Sequence, residues 1–213
     1  MKAFLFSALA AGLVAAGVAH ADTVTLDFEG PTSYASILQY YNGGKDGANV
    51  QGPVPGYGIS FGGDALVFKN DPNVSYPPAN GNGVMTVQGP NAALNRDTIY
   101  GITFAYSSIG TPTITAYDGY NGTGNVVGSV QLVNNDANCD PNGPLFCNWT
   151  TVSLPISGIA KSIQFGTALD SGGPLAAFDN VVAAIPVPAA ALLLPLGAAM
   201  LGVAGFKRRA PQA

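Results

Sequence analysis

The chain is short of charge and shorter still of catalytic side chains. Charged residues make up 9% of its 213 residues, against about 25% in an ordinary soluble protein. The single histidine, His20, lies in an apolar N-terminal stretch, so everything after it has none. That excludes Ser-His-Asp and Cys-His catalysis and the usual histidine metal sites. Two cysteines cannot build a four-ligand zinc site alone. There is one glutamate, Glu29, so a glycosidase, which needs two carboxylates flanking a bond, would have to recruit an aspartate. Eight basic residues against twelve acidic ones argue against a nucleic-acid partner. No long amphipathic helical repeat and no internal repeat occurs. These absences predict a non-enzymatic protein that requires no cofactor.

Long apolar runs are present only at the two ends. Lys2, the apolar stretch Ala3 to Val18 and the small-x-small triplet Ala19-His20-Ala21 have the form of a secretory signal peptide, residues 1–21. The other end carries Ile185-Pro186-Val187-Pro188-Ala189, an apolar run to Phe206, and Lys207-Arg208-Arg209. The 18 residues from Ala189 to Phe206 would make about 27 Å of helix, enough for the hydrocarbon core of a bilayer. Pro195 would kink that helix, and the basic cluster Lys207, Arg208 and Arg209 would anchor it on the cytoplasmic side. The expected layout is a signal peptide (1–21), an exported domain (22–184) and a C-terminal tail (185–213). A plain single-span anchor would have the same outline.

The tail adds a specific resemblance. Pro186-Val187-Pro188-Ala189 followed by an apolar helix and an Arg-rich end resembles the PEP-CTERM sorting signal, in its Val-Pro-x-Pro-Ala variant. Ile185 stands in place of the leading Val, and Val187 where the commonest form has Glu. The resemblance implies a membrane-anchored precursor whose partners are signal peptidase and an exosortase-like membrane protease. The released protein would reach the cell surface or an exopolysaccharide matrix.

Between the ends the hydrophobic period is two. Val24, Leu26 and Phe28 alternate with polar residues, as do Tyr100, Ile102, Phe104 and Tyr106. Val126, Val130 and Leu132 form another set, Val152, Leu154 and Ile156 a further one, and Ile159, Ile163 and Phe165 the last. Gly- and Asn-rich clusters such as Asp118 to Gly124 separate the runs. About ten short strands in this length predict an all-β fold, an antiparallel β-sandwich of jelly-roll-like form. Ser33 to Tyr41 is the one stretch that suits a short helix. Four basic residues against twelve acidic ones give the domain a net charge of −8, which favours neutral surfaces or cations as partners.

Cys139 and Cys147, in an exported chain, predict a disulfide. Sugar binding needs exposed aromatic faces beside amides or carboxylates. Tyr40, Tyr41, Tyr57, Tyr76, Tyr117 and Tyr120 fall in or beside loops. Tyr117 and Tyr120, flanked by Asp118 and Asn121, and Trp149 are the candidate saccharide contacts; tyrosines with a purely structural role, and a core Trp149, fit the same pattern. Asn138-x-Asp140-x-Asn142-Gly143 mimics half a calcium loop but has Trp149 at its twelfth place, which favours a polar turn.

The stretch from Trp149 to Leu154, Ile159 to Phe165 and the closing Phe178-Asp179-Asn180-Val181 resemble carbohydrate-binding-module sandwiches. That resemblance implies a structural calcium on Glu29 and Asp179, with Asp27 as a third ligand. A solvated strand face and an ordinary Asp-Asn turn account for the same residues without a metal. The functional expectation is an exported surface or matrix protein that binds exopolysaccharide. The alternatives are a structural surface spacer on a single transmembrane helix and, more remotely, a cryptic polysaccharide hydrolase or lyase.

Overall fold

A computed structural model of the chain describes residues 21–70, 81–136, 139, 146–166 and 175–186. The stretch expected to be a signal peptide, up to His20, the tail from Val187 onward, Tyr76 and the Asn138–Gly143 motif apart from Cys139 lie outside those residues. Among the described residues, no helix is long and apolar enough to cross a membrane.

Among the described residues eleven strands follow one another: β1 (Ala21–Leu26), β2 (Ser60–Phe61), β3 (Ala65–Lys69), β4 (Gly83–Val87), β5 (Leu94–Ile99), β6 (Gly101–Ser108), β7 (Thr113–Tyr117), β8 (Val126–Gln131), β9 (Thr150–Leu154), β10 (Ala160–Gln164) and β11 (Ala176–Pro186). They form two antiparallel sheets. One runs β3-β4-β11-β6-β9, with β1 also paired to β11; the other runs β2-β5-β10-β7-β8. The expected all-β sandwich is therefore present. β11 extends to Pro186, two residues past the boundary read at 184.

Alternation carries the core. Ile102, Phe104 and Tyr106 of β6 are buried, and Tyr100, just before that strand, is exposed. Phe104 and Phe178 come from one sheet and Phe165 follows β10 of the other. Their rings meet edge to face at 5.7, 5.6 and 5.0 Å between centroids. Such contacts add to the area buried by large aromatic side chains.

Bulges adjust the phase where strict alternation fails. In β11, Asn180 has φ +48°, a left-handed conformation that asparagine tolerates. Asn180 and Val181 there stand against Phe104 alone on β6. The extra residue lets Phe178 and Val181, an odd number of positions apart, both enter the core. It also explains the Phe-Asp-Asn-Val string locally: Asp179 accepts the backbone N–H of Asn180 at 2.6 Å and its side-chain amide at 2.9 Å. A register shift in β8 near Tyr117 similarly leaves Val126 exposed while Leu132 is buried. Ile159 precedes β10 and is exposed, unlike Ile163 and Phe165.

The helix expected over Ser33 to Tyr41 is absent. Only Tyr40–Asn42 forms a 3-10 turn. Tyr34 and Leu38 have φ of +61° and +48°, and the segment's amides bond to strand β3 instead: Tyr34 N–H to Val67 O and Ile37 N–H to Ala65 O. The β3 edge supplies acceptors that a helix would have had to find within itself.

A second, smaller cluster lies outside the main core. Val84, Phe146 and Ala177 are buried together, with Phe68, Ile109 and Trp149 packed against them. This cover explains why every residue of β4 is buried.

Candidate functional site

The chain's candidate residues separate into four places. Cys139 and Cys147 are joined as a disulfide with a Cα–Cα distance of 5.9 Å, as expected. The Asp136 carboxylate beside it accepts the Cys147 N–H at 3.0 Å. Both sulfurs are committed to each other, so this proximity of an acid and two cysteines is not a metal centre.

Trp149 lies near that disulfide, in the outer cluster on the six-stranded sheet. Tyr117 is half-buried within β7, and Tyr41 is a core residue whose hydroxyl accepts the Phe28 N–H at 3.0 Å. Burial and the Asp27 charge push the Tyr41 hydroxyl well above the ordinary tyrosine range, against the lowering effect of the Phe28 N–H. Tyr57 stacks on Tyr41, with centroids 6.2 Å apart. Of the three proposed saccharide contacts, Tyr120 lines a groove to whose lining neither Tyr117 nor Trp149 contributes.

The groove has a volume of about 840 Å³ and is lined by Gln39, Asn42, Ser60, Asn95, Arg96, Asp97, Tyr120 and Asn121 among others. Its floor comes from an irregular strand. β5 pairs with β10 through Ile99–Ala160 and Asn95–Ser162. Between those pairs β5 has Arg96, Asp97 and Thr98 where β10 has only Lys161. The ladder cannot accommodate the surplus, and three polar residues are displaced into the groove.

One wall is the β7–β8 turn. Asp118 accepts the Asn125 N–H at 2.7 Å and its side-chain amide at 2.8 Å; these bonds hold its carboxyl below the usual aspartate range. Asn121, Gly122 and Gly124 all have positive φ, which a turn this tight requires. Buried Ser162 fastens the turn to the sheet. Its Oγ accepts the Gly122 N–H at 3.0 Å and donates to the Gly119 carbonyl at 2.6 Å. The Asn121 N–H reaches Asn95 Oδ1 at 2.7 Å.

Tyr120 is thereby held at the groove, 43% exposed. Its hydroxyl donates to Asp97 Oδ1, which pushes the phenol above its ordinary value, and the Lys161 ammonium lies 5.8 Å from its ring centroid. The arrangement is a fixed aromatic face with amides, a carboxylate and a guanidinium around it. Arg96, Asp97 and Asn95 were not singled out from the sequence. The available signal was that Arg96 is the one arginine between residues 22 and 186, inside a strand with apolar ends.

The three acids expected to hold calcium do lie near one another, though not as one strand face. β1 ends at Leu26, and Phe28 has φ +57°, so Asp27 and Glu29 lie beyond the strand. Asp27 Oδ1 accepts the Glu29 N–H at 3.2 Å, Glu29 Oε1 accepts the Gly83 N–H at 2.6 Å, and the Glu29 carbonyl accepts from Lys69 Nζ at 2.9 Å. Asp179 is fully buried. Burial, reinforced by the charges of Glu29 and Asp27, pushes its carboxyl up to about 7. This all-oxygen donor set suits a hard cation in chemistry. Among the described residues, the three carboxylates do not converge closely enough to form a ready ligand shell.

No family model and no curated protein matches the chain. Among solved structures, it is similar to a glycoside hydrolase family 43 arabinoxylan arabinofuranohydrolase from Bacillus subtilis, at 18% identity and a TM-score of 0.40, over 67% of this chain and 31% of that one. It thus spans about a third of that enzyme. It is also similar to the K2 cleaved adhesin domain of Lys-gingipain, at 12% identity and a TM-score of 0.45, over 76% and 99% of the two chains. The K1 adhesin domain of Lys-gingipain from Porphyromonas gingivalis W83 aligns at 15% identity and a TM-score of 0.39, over 77% and 98%. At these values no residue here takes a role from any of them.

Proposed function

We propose that the chain is a non-enzymatic, exported surface or matrix protein that holds polysaccharide in the groove beside Tyr120. The observation that carries this reading is an exposed ring held by Asp97 and the Ser162-fastened turn, with Asn95, Asn121 and Gln39 alongside. A sugar ring offers a flat C–H face for the tyrosine and hydroxyls for the amides. The tail reading supplies the route: signal peptidase at one end, an exosortase-like protease and transient membrane anchorage at the other. The Cys139–Cys147 disulfide suits an oxidising exterior. Tyr120→Ala is expected to lower retention on the host's own exopolysaccharide several-fold without lowering the melting temperature. Unchanged retention would leave the sandwich as a spacer.

Structural calcium belongs to the same reading. Asp27, Glu29 and Asp179 would hold it, and the ion would supply positive charge where three acids now repel. Melting in calcium against chelator checks it: a rise that disappears in Asp179→Asn supports the site, and identical curves remove it.

A further inference from the structure

Arg96 is half-buried in the groove, and its guanidinium reaches no hydrogen-bond acceptor among the described residues. Elsewhere in the groove polar groups are matched: Tyr120 with Asp97, Asn121 with Asn95. Five N–H donors partly withdrawn from water and given no protein acceptor, with the Asp97 charge nearby but not bonded to them, are costly to hold, and costlier if buried further. The protein makes room for them. Gly58 has φ +70°, and a Cβ there would stand 2.7 Å from Arg96 Nη1, so a side chain at this position would displace the guanidinium.

The charge around it is balanced rather than acidic. Arg96 and Lys161 face Asp97 and Asp118, and the Asp97 carboxylate is already engaged by the Tyr120 hydroxyl. In a domain of net charge −8, Arg96 lines the groove and Lys161 stands over the Tyr120 ring, and physiological salt screens charges beyond roughly 8 Å. A planar guanidinium with free donors matches a carboxylate through two parallel N–H···O bonds, which an ammonium or an amide does not reproduce.

We propose that the groove selects an acidic saccharide, a uronic-acid unit whose carboxylate is bound by Arg96 while its ring packs on Tyr120. The proposal rests on the saccharide reading above and adds the ligand class. A neutral sugar offers the guanidinium single hydroxyl oxygens; a uronate offers a charged acceptor that takes two of its N–H groups at once.

The experiment measures binding of the full-length protein to polygalacturonate and to the same polymer after carboxyl reduction, with a chelator present so that no calcium bridge contributes. Wild type is expected to prefer the acidic polymer by about tenfold or more. Arg96→Gln should lose that preference, its affinity for the acidic polymer falling to that for the reduced one. Arg96→Lys, which keeps the charge but not the fork, should fall between the two. Equal binding of both polymers by wild type, or a preference that survives Arg96→Gln, overturns the ligand class while leaving saccharide binding intact. No binding of either polymer overturns both. An unchanged melting temperature in Arg96→Lys ties any loss to recognition rather than folding.

Discussion

Ala21 stands opposite Pro186 in the antiparallel ladder between β1 and β11. The first and last strands of the sandwich therefore end at one corner, where Pro186 also lines the groove. The ladder runs without a break from Ala21–Pro186 to Leu26–Val181.

That pairing makes β1 a clasp on the central strand, and Leu26 its fully buried anchor. Leu26→Ala is expected to cost about 2–5 kcal/mol through lost burial and the cavity left behind, read from urea melts. Asp22→Ala, at an exposed position of the same strand, should change stability by less than about 0.5 kcal/mol.

The disulfide joins Cys139 to Cys147, next in sequence to Phe146 and close to Trp149 of the outer cluster. Replacing both cysteines by serine should lower stability by roughly 2–3 kcal/mol, from the loop-closure entropy restored to the unfolded chain. Adding reductant to the parent should reproduce the drop; adding it to the double variant should do nothing. Calorimetry in both conditions decides.

Asp46 is buried and accepts three backbone N–H groups, from Thr32 at 2.7 Å, Ala48 at 2.9 Å and Val50 at 2.8 Å. Burial pushes its carboxyl up, but these bonds outweigh it and hold the group below the ordinary aspartate value. A lowered folded value means stability that is complete above the unfolded aspartate pKa of about 3.9 and lost as pH falls through the folded one. Asp46→Asn should therefore cost about 1–3 kcal/mol at pH 7. The gap between variant and parent should close below about pH 4, as urea melts across a pH series would show.

Ser162 touches no groove surface but fastens the turn that carries Tyr120. Ser162→Ala leaves the Gly122 N–H and Gly119 carbonyl without that partner, at about 1–3 kcal/mol. It is expected to weaken polysaccharide retention and to speed amide exchange in residues 119–124. Faster exchange with undiminished retention would show that the turn's rigidity is irrelevant to binding.

Much of this was legible beforehand, for local reasons. Alternation at Ile102, Phe104 and Tyr106 follows from the two-residue period of a strand with one buried face. The Asp118–Gly124 turn carries residues that tolerate positive φ, and two cysteines allow one pairing. What was illegible depended on distant partners. Ser33 to Tyr41 has a helical pattern, yet the β3 edge takes its amides. Tyr41 sits in a loop-like stretch, yet packs on Phe28 and Phe61.

Sequence alone determined the layered β architecture, the absence of histidine chemistry after residue 20 and Tyr120 as an aromatic at a turn, because composition, strand period and turn propensity act over a few residues. Tertiary structure decided the site. A strand's side chains change face with each bulge, and bulges depend on the strand alongside. Only the pairing of β5 with β10 places Arg96 and Asp97 beside Tyr120, and only the bulge at Asn180 brings both Phe178 and Val181 into the core.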